Sequence, residues 1–131
     1  MNRLLTTATL LTVLASPALA EERRFECTMT EACRSFGANC VAENIPYNFT
    51  LDAATGVGEM EQREGNFFDG AVHESNGALH FLFVNSAGVE LGTITDAGDI
   101  IYTGNMAIGD NLVHYRLTGT CSEATGGSGS K

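Results

Sequence analysis

The fold of this chain is decided by residues 72–84, which read VHESNGALHFLFV. Asn76-Gly77 at the centre accepts positive φ at both positions, as a type I′ turn requires, and the twist of that turn matches paired strands. The apolar side chains after the turn recur with period two, the spacing of a β-strand. The stretch therefore predicts a tight β-hairpin in which His73 directly faces His80.

The same rhythm continues on both sides of this hairpin. Between residues 45 and 121, apolar residues alternate with polar ones, and turn residues interrupt them about every ten positions. With a first strand near residues 23–28, the pattern predicts about eight strands. Short connections favour antiparallel neighbours, and closure removes the exposed edges of a long meander. We expect an all-β fold, a small antiparallel up-and-down meander that closes into a barrel; a two-sheet β-sandwich is the alternative.

Residues 1–20 have the features of a signal peptide. Arg3 precedes an apolar run, and Ala18-Leu19-Ala20 has the small-x-small form of a cleavage site. The run is too short for a membrane span, so no membrane anchor is expected. We predict cleavage after Ala20 and a periplasmic or secreted protein. The predicted organisation is a signal peptide over 1–20, one disulfide-stapled β domain over 21–121 and a flexible Gly/Ser-rich tail over 122–131.

The four cysteines of an exported chain are expected to form disulfides. Four cysteines allow three pairings, and spacing alone does not choose among them. If the first and last strands are neighbours in a barrel, Cys27 can bond Cys121, which leaves Cys33 to bond Cys40. We predict that pairing. A zinc site is disfavoured because no pair has the usual spacing of zinc ligands.

One segment near the N-terminus has a helical signature. Thr28-Met29-Thr30-Glu31 has the form of a capping box, and Gly37 is a candidate helix end. The sequence therefore predicts a short helical turn here, tied down by the Cys33–Cys40 disulfide.

The charge balance narrows the possible partners. Sixteen acidic residues stand against seven basic ones, for a formal net charge of −9. An acidic domain is poorly suited to nucleic acid, since phosphate neutralisation needs clustered lysine and arginine. A basic protein is the partner that this charge allows; the alternative, which the lack of an acidic cluster favours, is that the charge serves solubility alone.

Catalytic and metal-binding groups are sparse. The serines lack a nucleophile motif, and the cysteines are expected to be oxidised, so we predict no enzyme activity and no cofactor. His73 and His80 are the one weak candidate pair for a metal, since opposed Cβ atoms lie about 5 Å apart. A metal needs three or four converging ligands, and a solvated outer face explains two histidines better. We therefore predict no metal site.

The strand rhythm, leader and disulfide framing resemble those of small exported β-barrel proteins such as bacterial lysozyme inhibitors and miniature lipocalin-like proteins. No motif of either family maps onto this sequence, so the resemblance assigns no site. It favours a non-enzymatic binding module or inhibitor acting on a protein partner. The alternative is a carrier of a small apolar ligand in the barrel interior. Large inward side chains count against the carrier, because they fill a barrel of this size; they are Phe49, Phe81, Phe83, Tyr102 and Tyr115.

Overall fold

The computed structural model describes residues 22–34, 37–62 and 66–124. The predicted signal peptide and residues 125–131 of the predicted tail lie outside the described residues. Within those ranges the chain forms eight β-strands: β1 Arg23–Arg34, β2 Asn39–Asp52, β3 Val57–Gln62, β4 Asn66–Ser75, β5 Ala78–Val84, β6 Gly88–Ile94, β7 Asp99–Ile108 and β8 Asn111–Ala124.

The strands form a closed barrel in which each pairs antiparallel with the next, and β1 pairs with β8 to complete the ring. The predicted barrel is confirmed, and the β-sandwich alternative is wrong. Closure gives each of the eight described strands a partner on both sides over at least part of its length, which answers the edge problem of a long meander. β8 continues to Ala124, so residues 122–124 belong to the barrel and not to the tail.

The Asn-Gly turn is also confirmed. Asn76 has φ of 51° and Gly77 has φ of 75°, both in the left-handed region that a type I′ turn requires. Asn76 is the one non-glycine residue with positive φ among the described positions. The turn fixes the β4–β5 register, and His73 lies directly opposite His80.

Both predicted disulfides are present, Cys27–Cys121 and Cys33–Cys40. Each joins residues directly opposed on neighbouring strands. Cys27–Cys121 crosses the β1–β8 seam where the barrel closes; Cys27 is buried in the core, and the partly buried Cys121 packs against it. Two disulfides place the folded protein in an oxidising environment, extracellular or periplasmic.

The predicted helical turn near the N-terminus is wrong. Residues 28–31 lie within β1, and the register shifts between Met29 and Glu31, which marks a β-bulge. The cause is tertiary, because β1 pairs with β2 on one side and β8 on the other. Ladder pairing on both sides satisfies the backbone groups that a capping box would otherwise serve. Gly37, with φ of 88°, sits in the turn between β1 and β2.

Aromatic side chains fill one half of the barrel, called here the packed half. Phe49 lies 4.8 Å from Phe81, 6.3 Å from Phe83 and 5.8 Å from Tyr102 between ring centroids. These rings fit because a glycine stands beside them: a Cβ on Gly92 would overlap the Phe81 ring. The packed half is lined further by fully or almost fully buried aliphatic side chains: Leu51, Met60, Leu79, Ile94 and Ile100.

Candidate functional site: a cup at one end of the barrel

The strands on one side of the barrel continue past their neighbours. β2 pairs with β3 only over residues 48–52, so residues 39–47 run beyond β3. β7 pairs with β6 as far as Met106, so residues 107–108 run beyond β6. The β1–β2 and β7–β8 hairpins therefore form a wall above one end of the barrel.

A cavity of about 390 Å³ lies against this wall, and we call it the cup. Its size falls in the range of roughly 300–1,000 Å³ usual for small-molecule sites. Seven of its eight lining residues carry no charge, and the eighth is an arginine; the eight are Ala32, Arg34, Ile45, Tyr47, Met106, Val113, Tyr115 and Leu117.

Strand alternation explains most of this lining. Ile45 and Tyr47 on β2 continue the inward row of Phe49 and Leu51. On β1 the alternation changes at the bulge. Before the bulge, the buried residues occupy odd positions: Phe25, Cys27 and Met29. After it, the buried residue paired with Leu117 of β8 is Ala32. The bulge thereby places Arg34 opposite the cup residue Tyr115 in the β1–β8 ladder, and Arg34 lines the cup while its side chain remains exposed to solvent.

Tyrosines form the floor of the cup. The rings of Tyr47 and Tyr115 lie 5.5 Å and 6.4 Å from that of Tyr102, which is fully buried. Tyr102 Oη donates a hydrogen bond to Met60 Sδ at 3.1 Å. The chain contains three tyrosines in all, and they meet at this one level of the barrel.

A buried carboxylate lies behind the floor. Glu90 on β6 is 2% exposed and is the one buried charged residue among the described positions. Tyr115 Oη donates a hydrogen bond to Glu90 Oε1, and Asn85 Nδ2 donates to Glu90 Oε2 at 3.4 Å. Tyr115 reaches across β7 because Gly104 stands between them, where a Cβ would overlap the Tyr115 ring.

This carboxylate affects the neighbouring phenols. Burial is the largest cause that raises the pKa of Tyr115, followed by its hydrogen bond to Glu90. Burial also raises the pKa of Tyr102, and the charge of Glu90 raises it further. Both phenols therefore remain protonated across the neutral range, and Tyr115 is kept as a hydrogen-bond donor to Glu90.

Arg34 is the charged group of the cup, and it has no partner in the described part of the chain. Arg23 and Arg24 form ion pairs with Glu123 and Glu22. Arg116 Nη2 donates to Cys33 Sγ at 3.4 Å. The Arg34 side chain forms neither an ion pair nor a side-chain hydrogen bond with any described residue. Its guanidinium is thus available to a ligand of the cup.

The histidine pair lies elsewhere, on the outside of the barrel. His73 and His80 border a shallow outer groove of about 380 Å³ over β4, β5 and β6. His80 Nδ1 lies 3.0 Å from Thr93 Oγ1. Across the described residues, the one group of three metal-ligating residue types that converges within 4.8 Å is Glu31, Cys33 and Cys40, whose two sulfurs are bonded to each other. That group does not include the histidine pair.

Two residues of the site, Glu90 and Arg34, were not expected from the sequence. Glu90 shares the parity of Ile94, so extending the alternation along β6 would have placed it inside the barrel. No pattern in the sequence signals Arg34, because its position beside the cup depends on the bulge in β1.

No described segment forms a helix with the length and apolar character needed to cross a membrane. No family model, curated protein or solved structure matches the chain.

Proposed function

We propose that this protein is a non-enzymatic binding protein whose site is the cup, where it holds a small, mainly apolar ligand. The observation that carries the proposal is a 390 Å³ cavity with apolar and aromatic walls above a packed half whose inward side chains are buried. Pockets that bind small molecules combine such walls with a few polar groups that fix orientation. Arg34 is the charged group of the lining that is available for that purpose.

The large inward residues do not oppose this function. Phe49, Phe81 and Phe83 occupy the packed half, below the tyrosine floor. Ile45, Met106 and Val113 above the floor are only partly buried. A ligand in the cup would remove these side chains from water. The hydrophobic contribution to the free energy is about 25 cal/mol for each Å² of apolar surface that is covered.

Calorimetric titration with decanol, an uncharged apolar probe, tests the proposal. Val113→Trp places a large ring in the cup and is expected to abolish binding. Leu112→Trp is the matched control, because Leu112 is the adjacent residue and is 85% exposed. Loss of binding in both variants, or in neither, would contradict the assignment of the site to the cup.

A protein partner is the second candidate, and the outer face of β5–β7 favours it. The exposed Val84 and Val89 are paired there across strands, and the half-buried Leu82 pairs with the exposed Leu91. Ile101 on β7, opposite Thr93, is also exposed. Contiguous apolar surface of this kind is typical of interaction sites. The acidic charge of the chain adds long-range attraction for a basic protein.

Sedimentation of the protein with a lysozyme, as a representative basic partner, tests this candidate. Leu91→Glu should weaken a complex formed on the outer face, whereas Leu112→Glu should not. A complex that dissociates in moderate salt and is unaffected by Leu91→Glu would reflect non-specific charge attraction and would count against the candidate.

We also propose that the protein acts in the periplasm or outside the cell after removal of residues 1–20. The two disulfides and the leader-like sequence support this location. The intact mass of the exported protein should correspond to a chain that starts at Glu21 and has all four cysteines oxidised. An unprocessed chain, or one with free thiols, would contradict the proposal.

A further inference from the structure

We infer that the ligand of the cup is an apolar carboxylic acid whose carboxylate binds Arg34 at the rim while its apolar part lies on the tyrosine floor. This inference rests on the proposed function and adds the chemical class of the ligand.

The first support is that the Arg34 side chain, which is exposed at the rim of the cup, has no partner among the described residues. The chain has sixteen acidic residues and seven basic ones, so intramolecular partners for an arginine are plentiful. Arg23 and Arg24 use such partners. Arg34 pairs with no described residue although it lines an apolar cavity. The carboxylate that best suits this guanidinium is therefore one that a ligand supplies.

The second support is the geometry of the guanidinium group. Its planar fork donates two parallel hydrogen bonds to a carboxylate, and such pairs gain both strength and orientation. Every other residue that lines the cup is uncharged. The lining thus has one cationic end and one apolar end, which matches an amphiphilic acid.

The third support fixes the direction of binding. The Tyr115 hydroxyl already donates to Glu90, so it offers no proton to a second carboxylate at the floor. The buried carboxylate of Glu90 behind that ring would also repel an anion placed there. Both effects keep an anionic head group at the rim, beside Arg34, and leave the aromatic floor for the apolar part.

An amine is the competing ligand class, because Glu90 and the tyrosine faces attract a cation. Glu90 does not line the cup, whereas Arg34 does. A cation entering the cup would therefore pass an unpaired guanidinium at the rim and reach a carboxylate that is separated from it by the Tyr115 ring. The charge of the residues that line the cup therefore favours a carboxylic acid over an amine.

Calorimetric titration of the full chain with decanoate, decanol and decylamine, each below its micelle concentration, tests the inference. We expect decanoate to bind at least about tenfold more tightly than decanol, a difference equivalent to about 1.4 kcal/mol. Arg34→Gln should remove this preference and leave the affinity for decanol unchanged. Arg34→Lys should keep only part of it, because an ammonium lacks the fork. Arg24→Gln is the matched control, an equal change of charge at an exposed arginine outside the cup.

The outcomes separate the two proposals. Equal affinity for decanoate and decanol, or a preference that survives Arg34→Gln, would overturn the carboxylate assignment while the cup remains an apolar site. Tightest binding of decylamine would overturn it in favour of Glu90. If none of the three probes binds, the proposed function itself is wrong, and this inference with it.

Discussion

The packed half of the barrel and the cup are built by the same strands under the same alternation, yet one is filled and the other is open. In the packed half, inward residues such as Phe83 and Ile100 are almost completely buried, and glycines make room for aromatic rings. In the cup, Ile45, Met106 and Val113 are only partly buried. The difference arises from strand length, because the β1–β2 and β7–β8 hairpins extend where β3 and β6 do not.

This comparison suggests a division of labour between stability and binding. Residues below the tyrosine floor make contacts on all sides, so substitutions there should affect folding. Residues above it face a cavity, so substitutions there should affect a ligand more than the fold. The Cys27–Cys121 disulfide at the β1–β8 seam should stabilise mainly the packed half.

The largest expected effect concerns the disulfide at the seam. Cys27 and Cys121 are 94 residues apart in sequence, whereas Cys33 and Cys40 are seven apart. On the chain-entropy model, replacing the first pair by alanine should cost about 4–5 kcal/mol and replacing the second about 2–3 kcal/mol. Denaturant unfolding of the two double variants measures both values. Equal losses would show that loop closure is not the main role of the seam disulfide.

The next effect compares one residue from each half. Phe83 is fully buried, so Phe83→Ala should lower the free energy of unfolding by about 3–5 kcal/mol. Val113→Ala in the cup should lower it by less than about 1 kcal/mol, because part of that side chain already faces a cavity. Unfolding in urea provides the measurement. A comparable loss from both variants would mean that the cup is structural core.

A smaller effect is expected at the boundary between the halves. Tyr115→Phe deprives the buried Glu90 carboxylate of its closest donor and should cost about 1–3 kcal/mol. Glu90→Gln is the matched control, since an amide oxygen still accepts from Tyr115 and no buried charge remains. We expect Glu90→Gln to cost less than Tyr115→Phe; the reverse order would mean that the charge of Glu90 is itself stabilising.

The same boundary predicts a pH dependence. The pKa values of Tyr102 and Tyr115 are raised in the folded state. The folded barrel therefore keeps protons on these two phenols at pH values above about 10, the ordinary tyrosine pKa, where the unfolded chain loses them. Stability should therefore be unaffected by these groups below that pH and should fall as the pH rises above it. In Tyr115→Phe the fall should be less steep, because one such proton is gone. Unfolding at a series of alkaline pH values tests this, and an identical slope would contradict it.

The smallest effect lies on the surface, away from both halves. Arg23 Nη2 lies 2.8 Å from Glu123 Oε2, and this pairing lowers the pKa of Glu123. Exposed pairs contribute about 0.2–1 kcal/mol, so Glu123→Gln should cost no more than that at neutral pH. The folded-state pKa of Glu123 is lowered. The unchanged protein should therefore be more stable than Glu123→Gln above the ordinary carboxyl pKa, and this difference in stability should disappear as the pH falls through the folded-state pKa of Glu123. A difference that persists in acid would exclude this ion pair as its source.

Most of the fold could be predicted from the sequence, because the signals are local. The Asn76-Gly77 turn fixes a hairpin, and the alternation continues from it into each neighbouring strand. Barrel closure then brings Cys27 beside Cys121. The failed prediction of a helical turn at residues 28–31 shows the limit of this approach, since pairing with two strands overrides a local capping signature.

The candidate site could not be predicted in the same way, because it depends on register and on one irregularity. Without the bulge in β1, alternation would place Cys33, and not Arg34, opposite Tyr115 in the β1–β8 ladder. Likewise, the contact between Tyr115 and Glu90 requires Gly104 to lie between them, which only the pairing of three strands reveals. Sequence alternation identifies which residues are candidates for the interior, and the register decides which of them meet.

The central claim is that the cup above the packed half is the ligand site of the barrel, and methyl NMR during a titration with decanol tests it most directly. We predict shift changes confined to the methyl groups of the cup, those of Ala32, Ile45, Met106, Val113 and Leu117, with Leu51, Ile94 and Ile100 unaffected. Changes concentrated instead on the outer face at Val84 and Leu91, or no change at any methyl group at saturating decanol, would contradict the claim.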